Sequence, residues 1–259
     1  MIIDAHTHIG FGKAITKSAK QLLAELDRGH VDKAMVFAGA INACTNEALL
    51  KEIAPHKKRL FGVGSVSPNG PKSYRPSLAS MERWLKSGEL RAIKFYLGYE
   101  PFYPNDNRLR PYLRLLQKYD RPAIFHSGDV YNVVKGAKLK YAHALHVDDL
   151  ASEMPDLKII IAHLGSPWII DAAQVCYKNE NVYADCSGFV YGDFTPVKRK
   201  EFAWVWKEFE RVTESNGRIL FGSDWPISDV RPYIEVVRKL AGRHSAAVFH
   251  KNAEKLFGI

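Results

Sequence analysis

Two kinds of patterning take turns along this chain. Short runs rich in Val, Ile, Leu, Phe and Ala alternate with longer stretches in which apolar residues recur every three or four positions. The first run, Ile2 to Ile9, reads as a buried strand, and Lys17 to Arg28 follows with Leu22, Leu23 and Leu26 at helical spacing. KAMVFAG is a second strand, residues 45–57 a helix burying Leu49, Leu50 and Ile53, and LFGVGSV a third strand. After the turn-rich segment Pro68 to Pro76, Ser77 to Gly88 reads as a helix and LRAIKFYL as the fourth strand. A helix holding Leu113, Leu116 and Tyr119 leads to AIFHS, which starts after Pro122, where a strand tolerates a missing donor. Val147, Leu150 and Met154 mark the next helix, ended by Pro155 before LKIIIAH. A helix beginning near Trp168 or Ile169 precedes NVYAD, residues 196–214 form the longest helix, and ILFGSD is the last strand. Helical segments Arg231 to Ala241 and Ser245 to Phe257 complete the pattern, while residues 129–140 show no clear period.

Strands thus recur roughly every 30 residues, the length of a strand–helix unit. Apolar runs buried on both faces imply parallel pairing covered by helices, and eight such units close naturally into a TIM (β/α)8 barrel. The expectation is one domain spanning residues 1–259, with a composition 46% hydrophobic that supports a substantial core. An open doubly wound sheet is the rival, but no glycine-rich nucleotide loop is present. Gly62 and Gly64 lie inside a strand, where close approach of neighbouring backbone explains them.

The net charge of +9 changes this picture little. Lys57, Lys58 and Arg59, and Lys198, Arg199 and Lys200, are short clusters mixed with apolar positions, so nucleic-acid binding is not expected. Cys44, Cys176 and Cys186 are odd in number and lack metal-binding spacing, which fits a reducing interior. With the first strand starting at residue 2 and no apolar run long enough for a bilayer, the reading is a soluble cytoplasmic protein with no membrane partner. A homodimer is the default assembly to test.

Candidate chemistry begins in the first strand. A period of two puts Asp4, His6 and His8 on one face and Ile3, Ala5 and Thr7 on the other. Two neutral imidazoles at i and i+2 can chelate one borderline-soft ion if later segments complete the set. Three do end in a suitable residue: PAIFHSG at His126, KIIIAHLG at His163 and RILFGSDWP at Asp224. These lie at the ends of the fifth, sixth and eighth strands, which a flat sheet keeps apart and a closed barrel brings together at its C-terminal mouth.

With DAHTHIG, AIKFY, FHSG, YAHALHVDDLASEMPDLKIIIAHLG, NVYADCSG, FGSDWP and NAEKLFGI in this order, essentially the whole chain resembles the amidohydrolase superfamily. The resemblance is to its amidohydrolase 2 branch of metal-dependent hydrolases and decarboxylases. It implies a divalent metal, most simply Zn2+, with one or two ions. His6 and His8 would hold the more buried position, with Asp224 opposite them and able to take a proton from the attacking water. His126 would be a further ligand. His163 would either ligate a second ion or transfer protons. Lys94, inside an apolar strand end, resembles the lysine that in some binuclear relatives is carboxylated and bridges two ions; the alternatives are a snorkelling ammonium or a partner for a substrate carboxylate.

Asp185 is a candidate to orient a ligand histidine. His143 and His146 read as capping or supporting residues rather than ligands, and Ser187 lacks the elbow of an activated nucleophile. Tyr96, Tyr99, Tyr103, Tyr131, Trp168, Tyr191 and Trp225 follow strand ends and are candidate pocket walls. Arg108 and Arg110, or Lys135, Lys138 and Lys140, are candidates to neutralise an acidic substrate. The implied reaction is attack of metal-activated hydroxide on an amide, ester or lactone of a small molecule. The alternative is nonoxidative decarboxylation of a small unsaturated or aromatic acid.

Overall fold

The computed structural model describes all residues except 13–15, 131–133, 191, 193 and 216. Eight parallel strands form one sheet in chain order: β1 (Ile3–His8), β2 (Lys33–Phe37), β3 (Leu60–Ser65), β4 (Leu90–Phe95), β5 (Ala123–Phe125), β6 (Ile159–Ile161), β7 (Val182–Asp185) and β8 (Ile219–Leu220). The sheet closes on itself. Ala5 N donates to Phe221 O at 2.8 Å and His8 N to Trp225 O at 2.7 Å, joining β1 to the segment that continues β8. The fold is therefore the (β/α)8 barrel, and a two-stranded ribbon, Gly10–Phe11 with Thr16–Lys17, stands outside it.

The helices are α1 (Ala19–Gly29), α2 (Asn46–Ile53), α3 (Leu78–Ser87), α4 (Arg110–Lys118), α5 (His146–Glu153), α6 (Ile169–Lys178), α7 (Pro196–Thr213), α8 (Val230–Ala241) and α9 (Asn252–Phe257). Their starts are legible as chemistry. Ser18 caps α1 in a full capping box with Gln21, and Thr45, Ser77 and Thr195 each accept a backbone N–H of the first turn of α2, α3 and α7.

Two apolar layers hold the barrel. One lies between strands and helices, and includes Leu22, Leu49, Leu113 and Trp206. The other fills the barrel interior with Ile3, Ala5, Met35, Phe37, Val63, Ala92, Ile124, Ile160, Tyr183 and Leu220, and is sealed by Ala253, Leu256 and Phe257 of α9. Gly62 is required by the β3–β4 approach: a Cβ there would lie 2.9 Å from the Glu89 carbonyl oxygen. Strand period then aims the site residues. Lys94, His126 and Asp185 follow Ala92, Ile124 and Tyr183 of the inner layer by two positions, so they rise from that layer toward the mouth.

The first strand departs from the simple alternation expected of it. Ile3 and Asp4 pair with Lys33 and Ala34, but Thr7 and His8 pair with Val36 and Phe37, so β1 carries one extra residue between Asp4 and Thr7. Such a bulge reverses the facing of everything beyond it. Ile3 and Ala5 belong to the inner layer, yet His6 also faces inward, stacked on Phe37 at 4.2 Å. Asp4 does not share that face with the histidines as alternation had implied. Its carboxylate instead accepts from Ser223 N at 3.0 Å and Ser223 Oγ at 2.6 Å, tying β1 to the turn after Phe221.

Candidate metal centre

A cavity of about 690 Å³ opens at the C-terminal mouth, with His6, His8, Lys94, His126, His163 and Asp224 all on its wall. The six sequence candidates are thus brought to one place. His6 is 1% exposed, Lys94 1%, His126 5%, Asp224 6% and His8 8%, so all five act in a low-dielectric floor, while His163 is half-buried.

His6, His8 and Asp224 form one buried cluster whose ligand atoms lie within 4.8 Å of one another. Asp224 Oδ1 is 3.1 Å from His8 Nε2 and 3.7 Å from His6 Nε2, and among the described residues it accepts no well-aligned hydrogen bond. A buried carboxylate oxygen left in that state among imidazole nitrogens suits a shared cation. The backbone is bent to present it. Asp224 has φ 63° and His163 φ 61°, left-handed conformations that a non-glycine residue adopts at a cost. Burial alone would raise the Asp224 carboxyl, but the adjacent His8 and His6 imidazoles outweigh it and hold it below the usual carboxylate range.

Behind the histidines sits a polar layer that sequence reasoning only partly anticipated. Asp185 Oδ2 lies 2.9 Å from His6 Nδ1, and Asp185 Oδ1 accepts from His163 N and from Ser187 N at 3.1 Å each. The Ser187 hydroxyl donates to Asp185 Oδ1 and also stands 3.1 Å from His6 Nδ1 and 2.9 Å from His163 Nδ1. A serine hydroxyl has one proton. Because that proton goes to Asp185, both imidazoles donate from Nδ1 and turn their Nε2 lone pairs toward the cavity. His126 is fixed the other way round, with Nε2 donating to Asp129 O at 2.8 Å. Its free Nδ1 therefore faces His163 Nε2 at 3.2 Å. Two lone pairs at that distance repel unless a proton or a metal ion lies between them, which is a second independent fit to cation binding. Burial lowers His6 to about 3 and, with the neighbouring Lys94, moves His126 and His163 below the ordinary histidine range, so all three rings are neutral at pH 7. Ser187 has no signal in the sequence beyond its place two residues after Asp185.

Among the described residues Lys94 Nζ has no hydrogen-bond partner, and it lies 5.4 Å from the Phe37 ring and 5.7 Å from that of Tyr96. Burial lowers its ammonium to about 8, against the opposing pull of Asp185 and Asp224. Gly188 makes the close packing on the opposite wall possible: it has φ 76°, and a Cβ there would lie 2.7 Å from His163 Nδ1.

Of the expected aromatic wall, Tyr96 and Tyr99 line the cavity, joined by Phe189, Ile41 and Ile227, which alternation could not single out. Tyr103 packs on Tyr141 and His146, Trp168 on His143, and Trp225 in the layer between strands and helices, so these three serve packing rather than the cavity. Tyr131 and Tyr191 lie outside the described residues. Arg108 is bound by Asp106 and Asn69, and Arg110 by Glu153; neither lines the cavity, because each has a nearer acidic partner at the surface. Lys135, Lys138 and Lys140 are likewise not on its wall. His143 pairs with Asp171 at 3.3 Å and His146 opens α5, both away from the cluster.

This geometry, a closed barrel with a buried His/Asp cluster at its mouth able to bind a divalent ion, defines a metal-dependent enzyme. Residues 3–259 match the family model described as Amidohydrolase, and the chain belongs to that family. Solved structures share the fold at low identity. An uncharacterised TIM-barrel protein of Bordetella bronchiseptica is 18% identical with a TM-score of 0.76, covering 99% of this chain and 98% of its own. A probable 2-pyrone-4,6-dicarboxylic acid hydrolase of Acinetobacter baumannii with citric acid bound is 16% identical with a TM-score of 0.72, covering 100% and 99%. The 2,6-dihydroxybenzoate decarboxylase of Rhizobium is 16% identical with a TM-score of 0.73, covering 99% and 98%. No curated protein matches the chain by sequence.

Proposed function

We propose that this chain is a metal-dependent hydrolase that opens a carbonyl-type bond, an amide, ester or lactone, of a small organic substrate. The observation that carries the reading is the Asp224 carboxylate, buried and poorly hydrogen-bonded, beside the Nε2 atoms of His6 and His8. His6, His8 and Asp224 would hold one divalent ion, most simply Zn2+ given two imidazoles and a carboxylate. His126 would join that set or, with His163, hold a second ion. The ion would supply Lewis-acid polarisation of the carbonyl and a more acidic water.

The chain's own groups account for the rest. Asp224, ionised at neutral pH, accepts the proton lost by the attacking water. His163, held by Ser187 and neutral, is placed to carry that proton to the leaving group. Tyr99, Phe189 and Ile227 flank the substrate and exclude bulk water, which strengthens each electrostatic contact in the cavity. Lys94 grips an anionic group on the substrate or, as a carbamate, helps bind metal. Nonoxidative decarboxylation is the second reading, favoured specifically by the buried, unpartnered Lys94 ammonium, which suits a substrate carboxylate, and by the structural likeness to the Rhizobium decarboxylase.

The test is a metal-loaded protein assayed against lactones, esters, amides and small aromatic acids, with Asp224→Asn alongside. Asparagine at this position also weakens a ligand of the ion, so the variant is compared at matched metal content, measured by plasma spectrometry; turnover should then still fall by roughly 10² to 10⁴-fold. An equally active variant would end the role given to Asp224. Release of carbon dioxide without incorporation of solvent oxygen would move the assignment to the lyase.

A further inference from the structure

The longest helix, α7 (Pro196–Thr213), carries apolar side chains that its own fold does not cover. Phe202, Val205, Trp206 and Phe209 face the barrel, yet Trp204 is 59% and Val197 64% exposed, two turns apart on the outer face. The neighbouring helix α6 (Ile169–Lys178), packed against α7, repeats the arrangement with Ile170 at 51% and Tyr177 at 49%. Exposed apolar residues scattered singly are normal on a monomer, but four of the eight large ones among the described residues fall on these two packed helices.

The charges beside Trp204 point to what covers it. The exposed face of α7 carries Lys200, Glu201 and Lys207 around Trp204, with half-buried Glu208 following. Trp204 stands at the middle of the helix. If a second copy of α7 runs antiparallel across a two-fold axis at Trp204, each tryptophan meets its mate, Lys200 meets Glu208 and Glu201 meets Lys207. Both of these pairs then join opposite charges, while Val197 meets the aliphatic stem of Arg211. Among the described residues neither Glu201 nor Lys207 has an ion pair within the chain, and Glu208 pairs only with Arg211. The charge order also opposes the helix dipole, since Lys198, Arg199 and Lys200 crowd its positive end and Glu208 and Glu210 lie toward the negative one. An antiparallel copy offsets that arrangement.

We infer that the outer face of α7 is a homodimer interface, a second copy of this chain packing antiparallel about Trp204 with Glu201 and Lys207 paired across the axis. Affinity at such a face follows from the central aromatic anchor and the charge pairing rather than from buried area.

Sedimentation velocity and light scattering from low to high micromolar protein test this. Wild-type protein should shift from monomer to dimer with rising concentration, and Trp204→Ala should weaken that association by roughly 30-fold or more, as for a central aromatic anchor. Glu201→Lys and Lys207→Glu, checked for folding by circular dichroism, should each stay monomeric because like charges then meet twice. Mixing these two variants should restore dimer, since every facing pair becomes opposite, and the double variant should dimerise by itself. A wild-type monomer throughout the range would overturn the inference. So would a dimer indifferent to Trp204→Ala, or charge variants that do not rescue one another.

Discussion

Three residues in or behind the cavity wall act through what they touch. Asp185 is held below the carboxylate range; burial opposes this, and the His6 and His163 contacts outweigh it. It orients His6 through a 2.9 Å contact to Nδ1. Asp185→Asn should therefore lower metal affinity by about 10 to 100-fold, measured by titration calorimetry on metal-free protein, as for other groups that orient a ligand histidine. Unchanged affinity would remove Asp185 from the centre. Gly188→Ala should destabilise the fold by about 1–3 kcal/mol and disturb His163, because the new methyl meets its ring while the backbone keeps a left-handed φ of 76°. Thermal melts and His163 ring resonances would report both effects. Lys94 is the third case. A pKa lowered to about 8 enlarges the neutral-amine fraction, the form that adds carbon dioxide to give a carbamate with loss of a proton. Protein supplied with metal and ¹³C-bicarbonate should show a carbamate carbon resonance that Lys94→Met lacks. Its absence from wild-type protein would leave Lys94 as a substrate anchor.

At the scale of elements, the decisive feature is the bulge in β1. It turns His6 inward although Ile3 and Ala5 already face inward, and it sends Asp4 to the β8 turn. Burial raises the Asp4 carboxyl from 3.8 to about 7, although the Ser223 hydrogen bonds oppose the rise. A folded-state pKa above the unfolded value means that the native state holds the proton more tightly. The stability this adds is complete below about pH 4 and is lost as pH climbs through 7. Asp4→Asn keeps an acceptor for Ser223 N and removes the titration. Denaturant midpoints of the metal-free variant should hence fall less between pH 4 and 7 than those of the wild type, and parallel profiles would contradict this account.

For the whole molecule, closure and plugging go together. The barrel floor is completed by α9, whose Leu256 and Phe257 are fully buried in the inner layer. Phe257→Ala should cost about 3–5 kcal/mol, the usual penalty for an emptied aromatic site, and it should do so without a separate early transition if the chain unfolds as one domain. A biphasic melt of the wild type would argue against the single-domain expectation. Dimerisation through α7 leaves this internal core untouched.

The sequence by itself determined the alternation of eight strands and their helices, the barrel and the identity of the six cavity residues. Burial and strand period are local properties of composition and spacing, and one residue type at each strand end was enough to mark the mouth. Only the tertiary structure decided how those residues face one another. The extra residue in β1 has no signature in IIDAHTHIG, because a bulge is set by the partner strand's register. Ser187 gained its role from a closure that brings β1, one strand beyond β8, close enough for His6 to reach the end of β7. Arg110 lost its role to Glu153, far along the chain, whose nearness no spacing reveals, and Arg108 is held by Asp106, two residues before it. Metal-ligand types are written along the chain, whereas tautomers, pairings and shielding depend on distances between segments far apart in it.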